Sequence, residues 1–149
     1  MKRIFSQSNL LLATALVTFV GGLGNLLIPL QWVGSFIPSI DASGAFISRF
    51  TGVLLLGASV IALLARDLND KKALRAIFSG FIVMNIGSLI LAAYGLSAGM
   101  MGREGFADLV IHGSLAGSFA YLYVRQGFTP RVRPSSDQTS AAPASRPDC

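Results

Sequence analysis

Residues 44–65, "GAFISRFTGVLLLGASVIALLA", form a long apolar run that contains one charged side chain, Arg49. At 1.5 Å per residue a helix of this length extends about 33 Å, enough to cross a hydrocarbon core of about 30 Å. Within lipid, an isolated segment satisfies its own backbone hydrogen bonds only as a helix. The stretch therefore predicts a membrane-spanning α-helix that carries an arginine.

Three further apolar segments accompany this one, and the four predicted spans are residues 10–30, 44–65, 74–96 and 106–124, to within a few residues. Hydrophobic residues make up 52% of the 149 residues and charged residues 13%, about half the charged fraction of a typical soluble domain. We predict an all-α polytopic membrane protein with four transmembrane helices in an antiparallel bundle over residues 1–125. The Pro/Ser/Ala-rich residues 126–149 are predicted to form a disordered cytoplasmic tail.

The basic residues predict the orientation. Ten of the twelve Lys and Arg residues precede the first span, surround the turn between the second and third, or follow the fourth. Only Arg49 and Arg103 fall on the opposite side. Because short cytoplasmic loops are enriched in Lys and Arg, both termini are expected in the cytoplasm. This topology also explains the formal charge of +5, so we expect no nucleic-acid partner.

Four polar side chains from three spans are predicted to share the outer half of the bilayer: Arg49, Asp108, His112 and Asn25. His112 follows Asp108 by one helical turn and lies on the same face, whereas Asn85 is expected nearer the midplane. Intramembrane charges usually face the bundle interior and pair with one another. Asp108 is therefore the expected partner of Arg49, and Asp41, in the external loop, is the next candidate.

This polar layer has three interpretations. An Arg49–Asp108 pair would act as a structural clamp between the second and fourth spans. Alternatively, Arg49 extends to the outer lipid headgroups and has no protein partner. The third interpretation is a site for a ligand, a lipid headgroup or a proton, for which histidine is suited because it exchanges a proton readily near neutral pH.

Small residues in the fourth span predict close helix packing. Gly113 and Gly117 lie four residues apart, and small residues at that spacing let two helices approach closely in lipid. The partner is either another helix of the same bundle or a helix of a second membrane protein, including another copy.

The sequence contains no recognisable metal or cofactor motif. One histidine and one cysteine, Cys149, are too few for the usual metal-ligand sets, so we expect no metal and no cofactor. Residues 95–99, "GLSAG", match G-x-S-x-G, but a hydrolase nucleophile needs a strand–turn–helix context. At the end of a membrane helix that context is missing, so we expect a protein that is not an enzyme. The alternative is a membrane-embedded hydrolase that uses Ser97 on the same side as His112 and Asp108.

The segments "LLIPL" and "SRFTGVLLLGASVIALLARDLNDKKALRAIFSGFIVMN" resemble small bacterial four-helix membrane proteins of unknown function. The resemblance rests on Pro29 at the end of the first span, the Arg49-x-x-Gly52 pattern and the basic turn into the third span. It extends over about residues 10–124. The resemblance implies the fold and a location in the bacterial inner (cytoplasmic) membrane, but no activity.

Two hypotheses for function follow. The first is a non-enzymatic accessory or structural subunit that docks to other membrane proteins through its small-residue helix faces. The alternative is a small transporter, a channel subunit or a lipid- or ligand-binding protein that uses the outer polar layer. Four helices are few for a transporter acting alone, so the alternative implies a homo-oligomer.

Overall fold

The computed structural model describes residues 6–127, and within that range the chain is helical, with no β-strand. Its helices are α1 (Gln7–Leu27), α2 (Pro29–Gly34), α3 (Ala42–Ala65), α4 (Lys71–Ser97) and α5 (Gly105–Arg125). The all-α prediction is confirmed for this range. The predicted disordered tail lies outside the described residues except for its first two positions.

The first long helix ends at Leu27, earlier than the predicted boundary at Leu30. Proline has no N–H, and it disfavours a helical backbone at the residue before it. Ile28 accordingly leaves the helix, with φ −132° and ψ 52°. Because proline is well suited to the first turn of a helix, Pro29 begins the short helix α2 instead.

Aspartates begin the two central long helices. The Asp41 carboxylate accepts a hydrogen bond from the Gly44 N–H of α3 at 2.8 Å. The Asp70 carboxylate accepts from the N–H groups of Lys72 and Ala73 at 2.7 and 3.2 Å. An acidic cap satisfies otherwise unpaired N–H groups and interacts favourably with the helix dipole. These caps fix where α3 and α4 start, and Asp70 also closes the tight turn between them.

By length and composition, α1, α3 and α4 can each cross a membrane. Their outer surfaces carry large apolar side chains, with Leu54 74%, Leu64 73% and Val83 71% exposed. So many exposed large apolar side chains are unusual on a water-soluble monomer. The apolar helices and their exposed apolar side chains therefore indicate an integral membrane protein.

Helix α5 covers the fourth predicted span but is not among those three helices. It has 21 residues, which is sufficient length. Asp108 and His112 in its first half, and the glycines and serines that follow, make it less apolar than the others.

Helices α1 and α3 pair along their lengths. The Ser59 hydroxyl donates to the Ala15 carbonyl at 2.8 Å, and the Ser48 hydroxyl donates to the Asn25 side-chain oxygen at 2.7 Å. The end of α1 thus lies beside the start of α3, as two helices joined by a short connection require. Hydrogen bonds between membrane helices add to packing as a source of association.

A glycine crossing brings the backbones of α1 and α3 close together. A Cβ atom placed on Gly52 would lie 2.8 Å from the Gly22 carbonyl oxygen, and one on Gly22 would lie 3.0 Å from the Gly52 carbonyl oxygen. Real Cβ atoms do not approach oxygen so closely without displacement of the backbone. This crossing, rather than the predicted Gly113 and Gly117, is where two described helices need small residues for close contact between their backbones.

Aromatic packing joins α4 to α5. The rings of Phe81 and Phe119 stack at 5.1 Å with an interplanar angle of 12°, and Phe78 meets Phe119 edge-on at 5.2 Å. Phe78 and Phe119 are completely buried, as is Leu11 of α1. These side chains form the centre of the hydrophobic core.

The core lies at one end of the described helices, which we call the turn end because it contains the α3–α4 turn. There, the Gln7 side chain donates to the Leu68 carbonyl at 3.2 Å and accepts from the Gln126 side chain at 3.3 Å. At the opposite end, called the α2 end, the Gly102 N–H donates to the Phe36 carbonyl at 2.8 Å. This bond links the α4–α5 connection to the segment after α2.

Candidate functional site

A cavity of about 340 Å³ lies toward the α2 end, between the α1–α3 pair and the α4–α5 pair. Every helix contributes to its walls. The lining residues are Thr14, Val17, Thr18, Gly21, Asn25, Trp32, Val33, Phe36, Ile37, Leu55, Met84, Asn85, Ser88, Met101, Ala107, Asp108, Ile111, His112 and Leu115. Its surface is mostly apolar with a few polar groups, which is the usual character of a small-molecule site.

The α4 side of the cavity holds a buried amide of fixed orientation. Asn85 is 1% exposed, and its Nδ2 donates to the Phe81 carbonyl at 2.8 Å. Its Oδ1 therefore faces Nδ1 of His112, at 2.9 Å. Because an amide oxygen only accepts, Nδ1 must carry a proton. Asn85 thus fixes both the orientation of the imidazole ring and the nitrogen that is protonated.

The other ring nitrogen faces a carboxylate. Nε2 of His112 lies 3.4 Å from Oδ1 of Asp108, and the two side chains are 21% and 34% exposed. With Nδ1 protonated, Nε2 of the neutral ring has a free lone pair. Nε2 and the carboxylate then present acceptors at the same place, and a single proton or another hydrogen-bond donor between them would satisfy both. We call Asn85, His112 and Asp108 the relay.

The α1 side of the cavity carries two buried hydroxyl groups. Thr14 donates to the Leu10 carbonyl at 2.9 Å, and Thr18 donates to the Thr14 carbonyl at 2.8 Å. Each hydroxyl proton is therefore used within α1, whereas the oxygen lone pairs remain able to accept. This side, like the relay, offers acceptors to a molecule in the cavity.

Asn25 also borders the cavity, but both ends of its amide are used by the protein. Its Nδ2 donates to the Gly21 carbonyl at 2.8 Å, and its Oδ1 accepts from Ser48 at 2.7 Å. Asn25 thus joins α1 to α3 and leaves one N–H of the amide for any further contact.

Glycines admit the large side chains that close the cavity at the α2 end. The Trp32 ring of α2 lies directly on Gly24, where any Cβ would overlap it. Met101, from the α4–α5 connection, packs against Gly95, with its sulfur 2.8 Å from the position of a Cβ there. The indole and the thioether thereby reach the space between the two helix pairs.

The predicted polar layer divides into two places. Asp108, His112 and Asn25 all line the cavity, but Arg49 does not. The Asp108 carboxylate faces His112, and within residues 6–127 no ion pair joins Arg49 to Asp108. Ser48 of α3 faces α1, and the next position lies about 100° around the helix. Arg49 is therefore exposed on the surface of α3, away from the relay.

The predicted packing residues of α5 lie at the surface. A Cβ on Gly117 would meet nothing within 4 Å, and one on Gly113 would make only an ordinary contact of 3.7 Å with Leu89. Together with Ser114, Ser118 and Tyr121 they border a shallow surface depression. Gly113 and Gly117 are therefore not needed for close packing among the described helices. Of the two partners predicted for them, a helix of the same chain or of a second molecule, only the second would pack closely there.

The serine of the "GLSAG" motif is not part of the relay. Ser97 is exposed, and its hydroxyl donates to the Tyr94 carbonyl at 2.8 Å, while both ring nitrogens of His112 face Asn85 and Asp108. Over residues 6–127 no group of three or more His, Cys, Asp or Glu side chains is placed to hold a metal ion.

The central role of Asn85 was not predicted from the sequence. Asn85 is recognisable there as a polar residue within a span, but counting depth from the span ends places it away from His112. Their contact depends on how α4 and α5 are aligned and rotated against each other. The folded-back connection sets that alignment, with Met101 packed on Gly95 and Gly105.

Thr14, Thr18 and Trp32 were also missed as cavity residues. Threonine in a membrane helix usually bonds its own backbone, as these two do, and so gives no distinctive signal.

Comparisons with family models, with curated proteins and with solved structures found no match to this chain.

Proposed function

We propose that the chain is a four-span protein of the bacterial inner membrane, with α5 as the fourth span and both termini cytoplasmic. The three apolar helices support membrane insertion, and the concentration of basic residues at the turn end supports the orientation. In this antiparallel arrangement the α2 end and the cavity face the outer leaflet. The resemblance to small bacterial membrane proteins supports the choice of membrane.

Within this topology, the proposed function is non-enzymatic binding of a small amphipathic molecule in the cavity. The observation that carries the proposal is the relay: a buried amide orients an imidazole whose second nitrogen, with a carboxylate, faces an apolar cavity. Buried polar groups are costly unless they are satisfied. A ligand that completes their hydrogen bonds would gain affinity from the same groups.

The polar groups of the walls define the chemistry of this ligand. The carboxylate of Asp108, Nε2 of His112 and the Thr18 oxygen all accept hydrogen bonds. The complementary molecule has an apolar body and carries a hydroxyl or amine at one end. Binding alone suffices for a carrier or sensor, and transport would require an additional motion or an oligomer.

The test is identification of what co-purifies. Protein extracted in mild detergent is separated from bulk lipid, denatured, and analysed for small molecules by mass spectrometry. We expect a near-stoichiometric hydroxyl- or amine-bearing molecule from the wild type, reduced about tenfold in Asp108→Asn. Arg103→Gln, which alters the same end outside the cavity, is the matched control. Equal recovery from all three proteins, or none from the wild type, would contradict the proposal.

An accessory subunit is the second candidate, and the open surface along Gly113 and Gly117 favours it. A membrane partner packed there would bury a glycine face that the chain's own described helices leave uncovered. Gly117→Leu would block such contact while leaving the cavity intact. Loss of a stoichiometric foreign partner in a mild-detergent pull-down supports this candidate; an unchanged elution profile of the variant contradicts it.

A further inference from the structure

A second groove, of about 300 Å³, lies on the surface between α2 and the first two turns of α3. Its sides include the apolar side chains of Leu30 and Phe46, and its polar groups include Gln31 and Arg49. No residue that lines it is acidic. The groove therefore combines an apolar track with a guanidinium and has no charge of its own to neutralise that cation.

Arg49 has no partner in the described part of the chain. It forms neither an ion pair nor a side-chain hydrogen bond with residues 6–127. Asp41, the acidic residue closest to it in sequence, uses a carboxylate oxygen to cap Gly44. Arg49 lies about 10 Å along α3 from the start of the helix. An unpaired arginine at such a position is costly in lipid unless it reaches a polar group.

We propose that this groove binds one anionic phospholipid, with its phosphate on Arg49 and an acyl chain along Leu30 and Phe46. A guanidinium matches phosphate geometry through two parallel N–H donors, and the Gln31 amide adds a further donor. A free phosphate would use the cation but would leave the apolar track empty. The site is separate from the cavity, and the inference does not depend on the proposed function.

The only tryptophan of the chain reports on this site. Trp32 belongs to α2, as do Leu30 and Gln31, so a bound acyl chain lies within about one helix diameter, about 10 Å, of the indole. Protein is reconstituted into nanodiscs in which brominated acyl chains are carried either by phosphatidylglycerol or by phosphatidylcholine. Bromine quenches nearby indole fluorescence, so the ratio of quenching in the two preparations measures the lipid preference at α2.

We expect phosphatidylglycerol to be preferred about fivefold by the wild type, which is typical of one basic residue at an anionic surface. Arg49→Leu should remove the preference and Arg49→Lys should retain part of it. Asp108→Asn, a cavity change, and Arg103→Leu, a loss of charge at the same end, should leave it unchanged. Inorganic phosphate at millimolar concentration should not reduce the quenching.

Several outcomes overturn the inference. Equal quenching by both lipids in the wild type excludes a preference for anionic lipid. A preference that survives Arg49→Leu, or that falls equally in Arg103→Leu, assigns the effect to general surface charge. Displacement by inorganic phosphate assigns the site to a free anion. Because Arg49 is exposed, its variants should fold. An indole emission maximum in detergent that is the same in each variant as in the wild type verifies this.

Discussion

The same long helices form both ends of the described structure, but the two ends are built by different means. At the turn end, Leu11, Phe78 and Phe119 exclude solvent completely, and stacked rings join α4 to α5. At the α2 end, the helix pairs border a cavity that is lined by Asn85 and His112, which bond each other. Stability is thus concentrated at one end, and the other end has groups available for a ligand.

Disruption of the turn end should have the largest effect on stability. Phe119→Ala removes a fully buried ring that contacts both Phe78 and Phe81, and such truncations cost about 3–5 kcal/mol. Thermal unfolding in detergent measures the loss. Phe106→Ala, at a position 61% exposed on the same helix, should change stability by less than about 0.5 kcal/mol. Similar losses for both variants would show that the turn end is not a distinct core.

The glycine crossing of α1 and α3 should be the next most sensitive position. In Gly52→Ala the new Cβ would lie 2.8 Å from the Gly22 carbonyl oxygen, and forcing the backbones apart should cost about 1–3 kcal/mol. Gly57→Ala, on the same helix with open space around it, should be neutral or slightly stabilising because alanine favours the helix. The difference between the two melting temperatures measures the crossing. Equal melting temperatures of the two variants would show that α1 and α3 do not approach closely at this crossing.

The relay should contribute less to stability than either of these contacts. Asn85→Leu retains the size of the side chain but leaves Nδ1–H of His112 without an acceptor, at a cost of about 1–2 kcal/mol. Ser88→Ala, which changes another cavity residue of α4, should cost less than about 0.5 kcal/mol. Thermal unfolding of ligand-stripped protein compares the two. Equal stability of Asn85→Leu and the wild type would show that the relay does not stabilise the α2 end.

Arg49→Leu should have the smallest effect, below about 0.5 kcal/mol, because the side chain is exposed and bonds no described residue. Unfolding temperatures in detergent lacking anionic lipid measure it, with Arg103→Leu as the matched control. A loss above about 1 kcal/mol would show that Arg49 is paired within the bundle after all.

Much of the fold follows from local features of the sequence. Apolar length predicted the regions of the long helices. Pro29 was recognised at the end of the first span, but its consequence, a break at Ile28 followed by a separate short helix, was not. That break matters because it turns Trp32 back onto Gly24.

The candidate site was predictable only in part. Depth along the spans grouped Asp108, His112 and Asn25, which do line one cavity. Depth also grouped Arg49 with these three residues, because the depth of a residue along a span does not say which way it faces around the helix axis. Rotation separates Arg49 from the cavity, and the alignment of α4 with α5 brings Asn85 to His112; both depend on tertiary packing rather than on spacing along the chain.

The most direct test of a ligand cavity organised by the relay is the ¹⁵N NMR spectrum of the single histidine. We predict that Nδ1 of His112 carries a proton because it donates to Asn85. We also predict that the Nε2 resonance shifts when the co-purified molecule is stripped from the protein. An imidazole protonated only at Nε2, or an Nε2 resonance unchanged by stripping, would contradict the account.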